Sequence, residues 1–386
     1  MIPPRLHATL DALSAAIPVV GTSIAGASYS SRKRLAAIGL GVATYSLESS
    51  YRGRTRCRPI RPELHWLLDA GHGATCLALA RDLDDPSARA LLRGYAAFAM
   101  AVAALSSPPG PEGIPVASRA KVEPADELAC LRCGIVNVTF IGAPGAGDRE
   151  WFLVDTGIPG SAATILQAAR RRYGNARPAA ILLTHGHFDH VGAVQHLMNE
   201  WDAPVYAHPA EHPYLTGWRS YPPAAPEVGG GMMAELSWLF PRHPIDISRR
   251  LRALPDDGHV PGLTDRRWIH TPGHTPGHVS FWNQKTRTLL AGDAIITTKQ
   301  ESLHGALFSP TRLQGPPAYF TPDWSAAQSS IRRLADLHPS MLATGHGSTL
   351  QGAELALGLH ELLSAFQLRG LPQYSRYLQG PRTTDV

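Results

Sequence analysis

The chain has 386 residues, 44% of them hydrophobic and 17% charged. That is a length of roughly two to three domains, and the composition excludes a disordered polyelectrolyte; four cysteines are too few for a disulfide-built scaffold. The net charge of +5 is unevenly held: residues 1–121 carry 14 Lys/Arg against 8 Asp/Glu, residues 122–386 carry 22 against 23, and 15 of the 18 histidines fall in the second segment.

The basic first segment lacks the interleaved aromatic and basic patches that nucleic-acid binding needs, so no nucleic-acid partner is expected. Four charge-free apolar runs, 12–31, 35–47, 70–80 and 94–111, are rich in Ala, Leu, Gly, Val and Ile and read as helices. Residues 2–12 recur as 60–70 with seven of eleven positions identical, so residues 1–107 read as a duplicated two-helix unit, an all-α four-helix domain. The run 35–47 offers no charged face to water, and the run 12–31 reaches the roughly 20 apolar residues that a span requires. The expectation is a membrane-embedded domain in which Asp11 and Asp69 take equivalent, inward-facing places. In its Ile-x-Pro-x-Leu-His-x-x-Leu-Asp repeat this part resembles the SPW-repeat type of four-helix membrane protein, although the Ser-Pro-Trp tripeptide is absent.

A signal peptide fits less well, because Asp11 interrupts the stretch and its copy at Asp69 belongs to the mature chain. The loop 48–63, with Arg52, Arg54, Arg56, Arg58 and Arg61, then places the rest of the chain on the cytoplasmic side of a bacterial inner-membrane type of anchor. The alternative is a soluble, cytoplasmic four-helix bundle. Residues 108–127 are a Pro-rich linker.

From residue 128 onward the texture is that of an α/β layered domain, residues 128–386. A strand–turn–strand at 133–154 is followed by a helical stretch at 162–173, a buried strand at 180–183 and a helix at about 191–201. At the end of the buried strand stands Thr184-His185-Gly186-His187-Phe188-Asp189-His190. Three imidazoles and a carboxylate so close together converge on one point, and they are donors that a borderline cation such as Zn²⁺ prefers. Farther on come Thr271-Pro272-Gly273-His274-Thr275-Pro276-Gly277-His278, Ala291-Gly292-Asp293 and Thr344-Gly345-His346, each at a strand terminus.

Across residues 128–365 the chain resembles the metallo-β-lactamase-fold hydrolase superfamily, carried by His-x-His-x-Asp-His and the later His, Asp and His in order. The resemblance implies an αββα sandwich and a two-metal centre. His185, His187 and His274 hold one metal, Asp189, His190 and His346 the other, and Asp293 bridges them. The cofactor expected is two Zn²⁺, with iron or manganese left open. Asp155, in Val154-Asp155-Thr156-Gly157, matches the family's supporting carboxylate.

Two metals lower the pKa of a shared water and polarise a carbonyl, with Asp189 orienting the nucleophile. His278 reads as a packing or hydrogen-bonding residue behind the ligands. His208 reads as structural, and Cys130 and Cys133 as ordinary thiols on opposite faces of a strand. A Pro/Gly-rich insert at 213–263, holding Trp218, Tyr221, Trp238 and Phe240, is long enough to act as a lid, which makes Trp218, Tyr221 and Trp238 candidate substrate contacts; the alternative is that its helix, 232–240, packs on the core. The loop 297–321, with His304, Phe308 and Tyr319, is a second candidate wall.

The Pro-Gly-His-Thr-Pro-Gly-His stretch is similar to the glyoxalase II and lactonase branches. The expected activity is therefore metal-dependent hydrolysis of an ester, thioester or lactone, with a small-molecule carbonyl compound as partner. The alternatives are a persulfide dioxygenase with one iron, a β-lactamase-like amide hydrolase, and a membrane sensor with a degenerate hydrolase domain; the filled ligand positions argue against the last.

Overall fold

The computed structural model describes residues 28, 30–31, 33–38, 40, 62–83, 85–105, 114–115, 127–308 and 311–378. By internal contact the chain divides into two units, residues 1–109 with 229–235, and residues 110–228 with 236–386.

In the first unit two helices, Pro62–Leu79 and Pro86–Leu105, pack as a hairpin. The second starts where the Asp85 carboxylate accepts the N–H groups of Ser87 and Ala88 at 2.8 and 3.3 Å, with Pro86 at the first helical position. Cys76, Ala80, Leu83, Leu92, Tyr95 and Ala96 form the core, together with Leu35.

Among the described residues no helix is long and apolar enough to cross a membrane. This corrects the expectation of membrane spans at 70–80 and 94–111. Extending the first back to a full helix brings in Glu63, His65 and Asp69, and the second carries Arg89 and Arg93 in its first turns. What remains apolar falls short of the roughly 20 residues a span needs. The expected helices at 12–31 and 35–47 and the Arg-rich loop 48–63 lie wholly or largely outside the described residues. So does the linker 108–127, apart from its two-residue strand β1 (Ile114–Pro115) and its last residue.

The second unit is the expected α/β domain. Strands β2 (Leu128–Cys133), β3 (Val136–Ile141), β4 (Phe152–Val154), β5 (Ala180–Leu182), β6 (Val205–Ala207) and β7 (Leu251–Ala253) form one sheet in sequential order. The other sheet runs β14-β13-β11-β10-β9-β8. Its members are β8 (His259–Val260), β9 (Leu263–His270), β10 (Val279–Asn283), β11 (Thr288–Leu290), β13 (Met341–Ala343) and β14 (Leu350–Gln351). Strand β12 (Arg312–Leu313) pairs with β1.

Alternation along the strands builds two hydrophobic layers. Ile141, Phe152, Val154 and Leu182 point between the sheets and meet Val279, Phe281 and Leu290. Their neighbours Phe140, Leu153 and Ile181 point outward, onto the helices Ala162–Tyr173 and Val194–Glu200. Helices Trp324–Ala335 and Gly352–Ser364 bury Ile331, Leu334, Leu355 and Leu359. β4, β5 and β6 run parallel to one another, as do β11 and β13. Parallel strands collect polar side chains at their carboxyl ends, and those ends position the site.

Candidate metal centre

Every expected donor stands just past a strand. His185 and His187 follow β5, and the short helix Phe188–Val191 brings Asp189 and His190 round behind them. His274 lies in the turn after β9, Asp293 three residues past β11 and His346 three past β13. All seven are buried.

Their donor atoms form three groups, each within 4.8 Å: His185–His187–His274, His185–His190–Asp293 and Asp189–His190–His346. His346 Nε2 lies 3.1 Å from Asp293 Oδ2 and 3.5 Å from Asp189 Oδ2, and His274 Nε2 lies 3.5 Å from Asp293 Oδ2. The nitrogens His187 Nδ1 and His274 Nε2 lie 2.9 Å apart.

The backing residues fix which atoms face inward. At Asp155 the chain takes a φ of 60°, a left-handed conformation uncommon outside glycine. The turn aims the Asp155 carboxylate at the next strand end. Oδ1 accepts the Thr184 N–H at 2.8 Å, while Oδ2 accepts the Thr184 hydroxyl and His190 Nδ1, each at 2.8 Å. With Nδ1 protonated, His190 presents Nε2 to Asp293 Oδ1, 3.4 Å away.

His346 Nδ1 likewise donates to the Ile135 carbonyl at 2.7 Å. His278 belongs to none of the donor groups: its Nε2 accepts the Asp293 N–H at 2.9 Å and its Nδ1 pairs with the Thr271 hydroxyl at 2.8 Å. Its ring positions the Asp293 backbone.

The residues fit a cation. His185 Nε2, His190 Nε2 and Asp293 Oδ1 are buried without a hydrogen-bond partner, an expensive condition that a metal relieves. Gly345 leaves room for them, since a Cβ there would stand 2.0 Å from Asp293 Oδ1 and 2.8 Å from His190 Cε1. Nitrogen and carboxylate donors of this kind suit zinc, iron or manganese.

Burial, then the neighbouring imidazoles, hold His185 and His274 well below the usual histidine range. The same causes lower His187 to about 3. These three keep free lone pairs at neutral pH. Burial also opposes a charge on His190, but the facing carboxylates of Asp293, Asp155 and Asp189 overcome it and raise its pKa. Burial likewise opposes ionisation of Asp293, and His346 and His190 override it. For Asp189 burial wins and raises the carboxyl.

Glu211 and Tyr221 brace the two His-bearing loops. Fully buried, Glu211 accepts the Gly186 N–H at 2.9 Å and the Gly277 N–H at 2.7 Å, so one side chain ties the 185–190 loop to the 271–278 turn. Tyr221 donates its hydroxyl to Glu211, accepts the Gly186 N–H at 3.0 Å, and sets its ring 4.4 Å from that of His187. Across the sheets, the Asn137 amide donates to the carbonyls of Thr344 and Gly347 at 2.9 and 2.8 Å, holding the His346 loop.

The expected substrate contacts fare differently. Trp218 and Trp238 are 81% and 61% exposed, His304 is exposed, and none lines the cavity over the donors. Tyr221 sits behind His187 rather than in that cavity. The wall consists of Ile135, Phe188, Phe240, Pro317, Tyr319 and Phe320. Tyr319 belongs to the second candidate wall and Phe240 to the insert. Phe188 stands inside the His-x-His-x-Asp-His signature, where a chemical reading of the spacer would have found it. Glu211 and Asn137 carry no local signal.

The expected helix at 232–240 divides into Met232–Glu235 and a 3₁₀ turn, Ser237–Leu239. His208 is structural: it stacks on His270 at 4.2 Å, and its Nδ1 accepts the Ala210 N–H at 3.1 Å.

The chain is 48% identical over 248 residues to the probable metallo-hydrolase YflN of Bacillus subtilis (strain 168), covering 64% of this chain and 94% of that one. It is 31% identical over 201 residues to the probable metallo-hydrolase YybB of the same organism, covering 52% and 76%. Among solved structures, the BLEG-1 B3 metallo-beta-lactamase aligns with a TM-score of 0.44 at 24% identity, over 66% of this chain and 100% of that one. Residues 131–346 match the sequence model of the metallo-beta-lactamase superfamily, more than half of the chain. The chain belongs to the metallo-beta-lactamase superfamily.

Proposed function

We propose that the chain is a metal-dependent hydrolase of an ester, thioester or lactone, acting at a centre of two divalent cations. The observation that carries this reading is the set of seven buried donors in three groups that overlap at His185 and His190, with unpaired nitrogens facing inward. His185, His187 and His274 would hold one cation, Asp189, His190 and His346 the other, and Asp293 both. When bound, the cations supply a water nucleophile at neutral pH and polarise the scissile carbonyl.

The chain's own residues do the rest. Asp189 is the donor with the greatest side-chain exposure in its pairs, 12% against 1% for His346, and it lines the cavity. Its carboxylate would orient the attacking water, with Oδ placed to accept its proton. Asp155 and His278 hold His190 and Asp293 in place. The YflN and YybB names, both probable metallo-hydrolases, support the reaction class.

The test is a panel of thioester, lactone, β-lactam and phosphodiester substrates with the metal-loaded chain and its Asp189→Asn variant. The reading expects turnover of carbonyl substrates, lost by at least about 100-fold in Asp189→Asn with the fold retained. Oxygen uptake with a persulfide and no hydrolysis would contradict it.

A further inference from the structure

We infer that the chain carries a second binding site, on the outer face of the sheet that holds β9 and β10, for a small molecule bearing a phosphate group. The inference does not rest on the hydrolase reading, and none of the residues that build the site is among the seven metal donors.

The register of the two strands sets Arg267 directly opposite Trp282. Phe281, next to Trp282, packs in the core between the sheets, so alternation turns Trp282 and Arg267 to the outer face. There, with Ile269, Gln284, Arg287 and Leu337, they line a cavity of about 660 Å³. Small-molecule sites span roughly 300–1,000 Å³. A second cavity, of about 400 Å³, runs back along the helix Trp324–Ala335 and is bordered by Arg332, Arg333 and Asp336. The two meet at the end of that helix, where Asp336 lines one and Leu337 the other.

Four guanidinium groups therefore border this groove against one carboxylate, that of Asp336. The concentration is local, since residues 122–386 as a whole carry 22 Lys/Arg against 23 Asp/Glu. Among the described residues none of the four arginines forms an ion pair; the paired arginines are Arg170, Arg177, Arg250, Arg266 and Arg376.

Two of the four are held in place by backbone carbonyls. Arg287 donates Nε to the His338 carbonyl at 3.0 Å and Nη2 to the same oxygen, and Arg333 donates Nη1 to the His270 carbonyl at 2.7 Å. A guanidinium has five N–H donors, so each keeps donors for a ligand while its side chain is already ordered, which lowers the entropy cost of binding. Arg267 is exposed and has no side-chain partner among the described residues. The oxygens of a phosphate match such planar forks in charge and spacing. Trp282, Ile269 and Leu337 give the same cavity an apolar wall for whatever organic group the phosphate is attached to.

The experiment is calorimetric titration of the full, zinc-loaded chain with inorganic phosphate and with adenosine monophosphate, adenosine serving as the uncharged reference. Phosphate also ligates metals, so the natural chain is compared at equal zinc content with two variants. Arg267→Ser removes the guanidinium from the groove. Arg171→Ser removes an exposed arginine from the helix Ala162–Tyr173, on the other sheet.

The natural chain is expected to bind a phosphate compound, with affinity falling as potassium chloride is added. Arg267→Ser is expected to weaken that binding by at least about 10-fold, and Arg171→Ser to leave it unchanged. Tighter binding of adenosine monophosphate than of phosphate assigns the ligand a ring, and equal binding assigns free phosphate; either supports the site. No binding by the natural chain, adenosine bound as tightly as its monophosphate, or the same affinity in Arg267→Ser as in Arg171→Ser overturns the inference.

Discussion

The Nε2 of His278 accepts the backbone N–H of Asp293 at 2.9 Å, and its Nδ1 is taken by the Thr271 hydroxyl. The ring thus spends both nitrogens on structure, and the residue it fixes is the carboxylate that faces His190, His274 and His346. In His278→Ala the Asp293 N–H is left buried without an acceptor, and the Asp293 loop is free to shift. Metal affinity is expected to fall by about 10- to 100-fold with the far-ultraviolet circular dichroism unchanged. A competitive titration against a zinc chelator reads this. Unaltered affinity would remove His278 from the positioning role.

Glu211 makes a comparable connection over a longer distance. Because it joins Gly186 to Gly277 and receives the Tyr221 hydroxyl, Glu211→Ala leaves several buried donors unmatched. It is expected to cost about 2–4 kcal/mol in urea unfolding. Tyr221→Phe removes both hydrogen bonds of the hydroxyl but leaves the Gly186 N–H its Glu211 acceptor and keeps the ring on His187, so a smaller loss of about 1 kcal/mol is expected. Similar losses in the two variants would contradict this ranking.

Gly345 has no side chain because Asp293 and His190 occupy the place where one would go. Gly345→Ala is expected to lower metal occupancy more than it lowers stability, since the clash falls on donor atoms. Metal content and thermal midpoint, measured on the same preparation, separate the two effects.

His208 supplies a pH dependence remote from the donors. Burial, then the stacked His270, lower its pKa to about 4, against 6.5 in the unfolded chain. Between those values the unfolded chain binds a proton that the folded chain refuses, so stability is full above pH 6.5 and falls as pH falls toward 4. The contribution is at most about 2 kcal/mol between pH 7 and pH 5. Urea unfolding of the metal-free chain at both pH values should show a smaller loss for His208→Gln than for the natural chain. An equal loss in both would contradict the assignment.

How much of this was legible in the sequence depends on how local each signal is. The donors were legible because four of them fall within six residues and the rest stand at strand ends followed by glycine or a turn. Asp155 was expected only through the family resemblance of Val154-Asp155-Thr156-Gly157. The α/β order and the supporting place of His278 followed from the same reading. Glu211 and Asn137 were not legible, because each acts on a backbone group that is distant in sequence and neighbouring only once the sheets have packed.

Trp218 and Trp238 misled for a related reason. Aromatic content marks a segment as able to bury surface, but not which way its rings turn, and Phe240, two residues past Trp238, is the one that turns inward. The helical part shows the limit of reading apolar runs by length. The run at 70–80 is the end of a helix that opens with Glu63, His65 and Asp69, and the run at 94–111 follows Arg89 and Arg93. The continuous helices are therefore less apolar than the runs within them.

The proposed function requires seven side chains to form one centre for two cations. The most direct test is the stoichiometry of divalent metal per chain, measured by elemental analysis on protein purified without chelator and then reloaded with zinc. Two ions per chain are predicted in the natural sequence, with fewer than two in Asp293→Asn. One ion per chain in the fully loaded protein, or none, would contradict it.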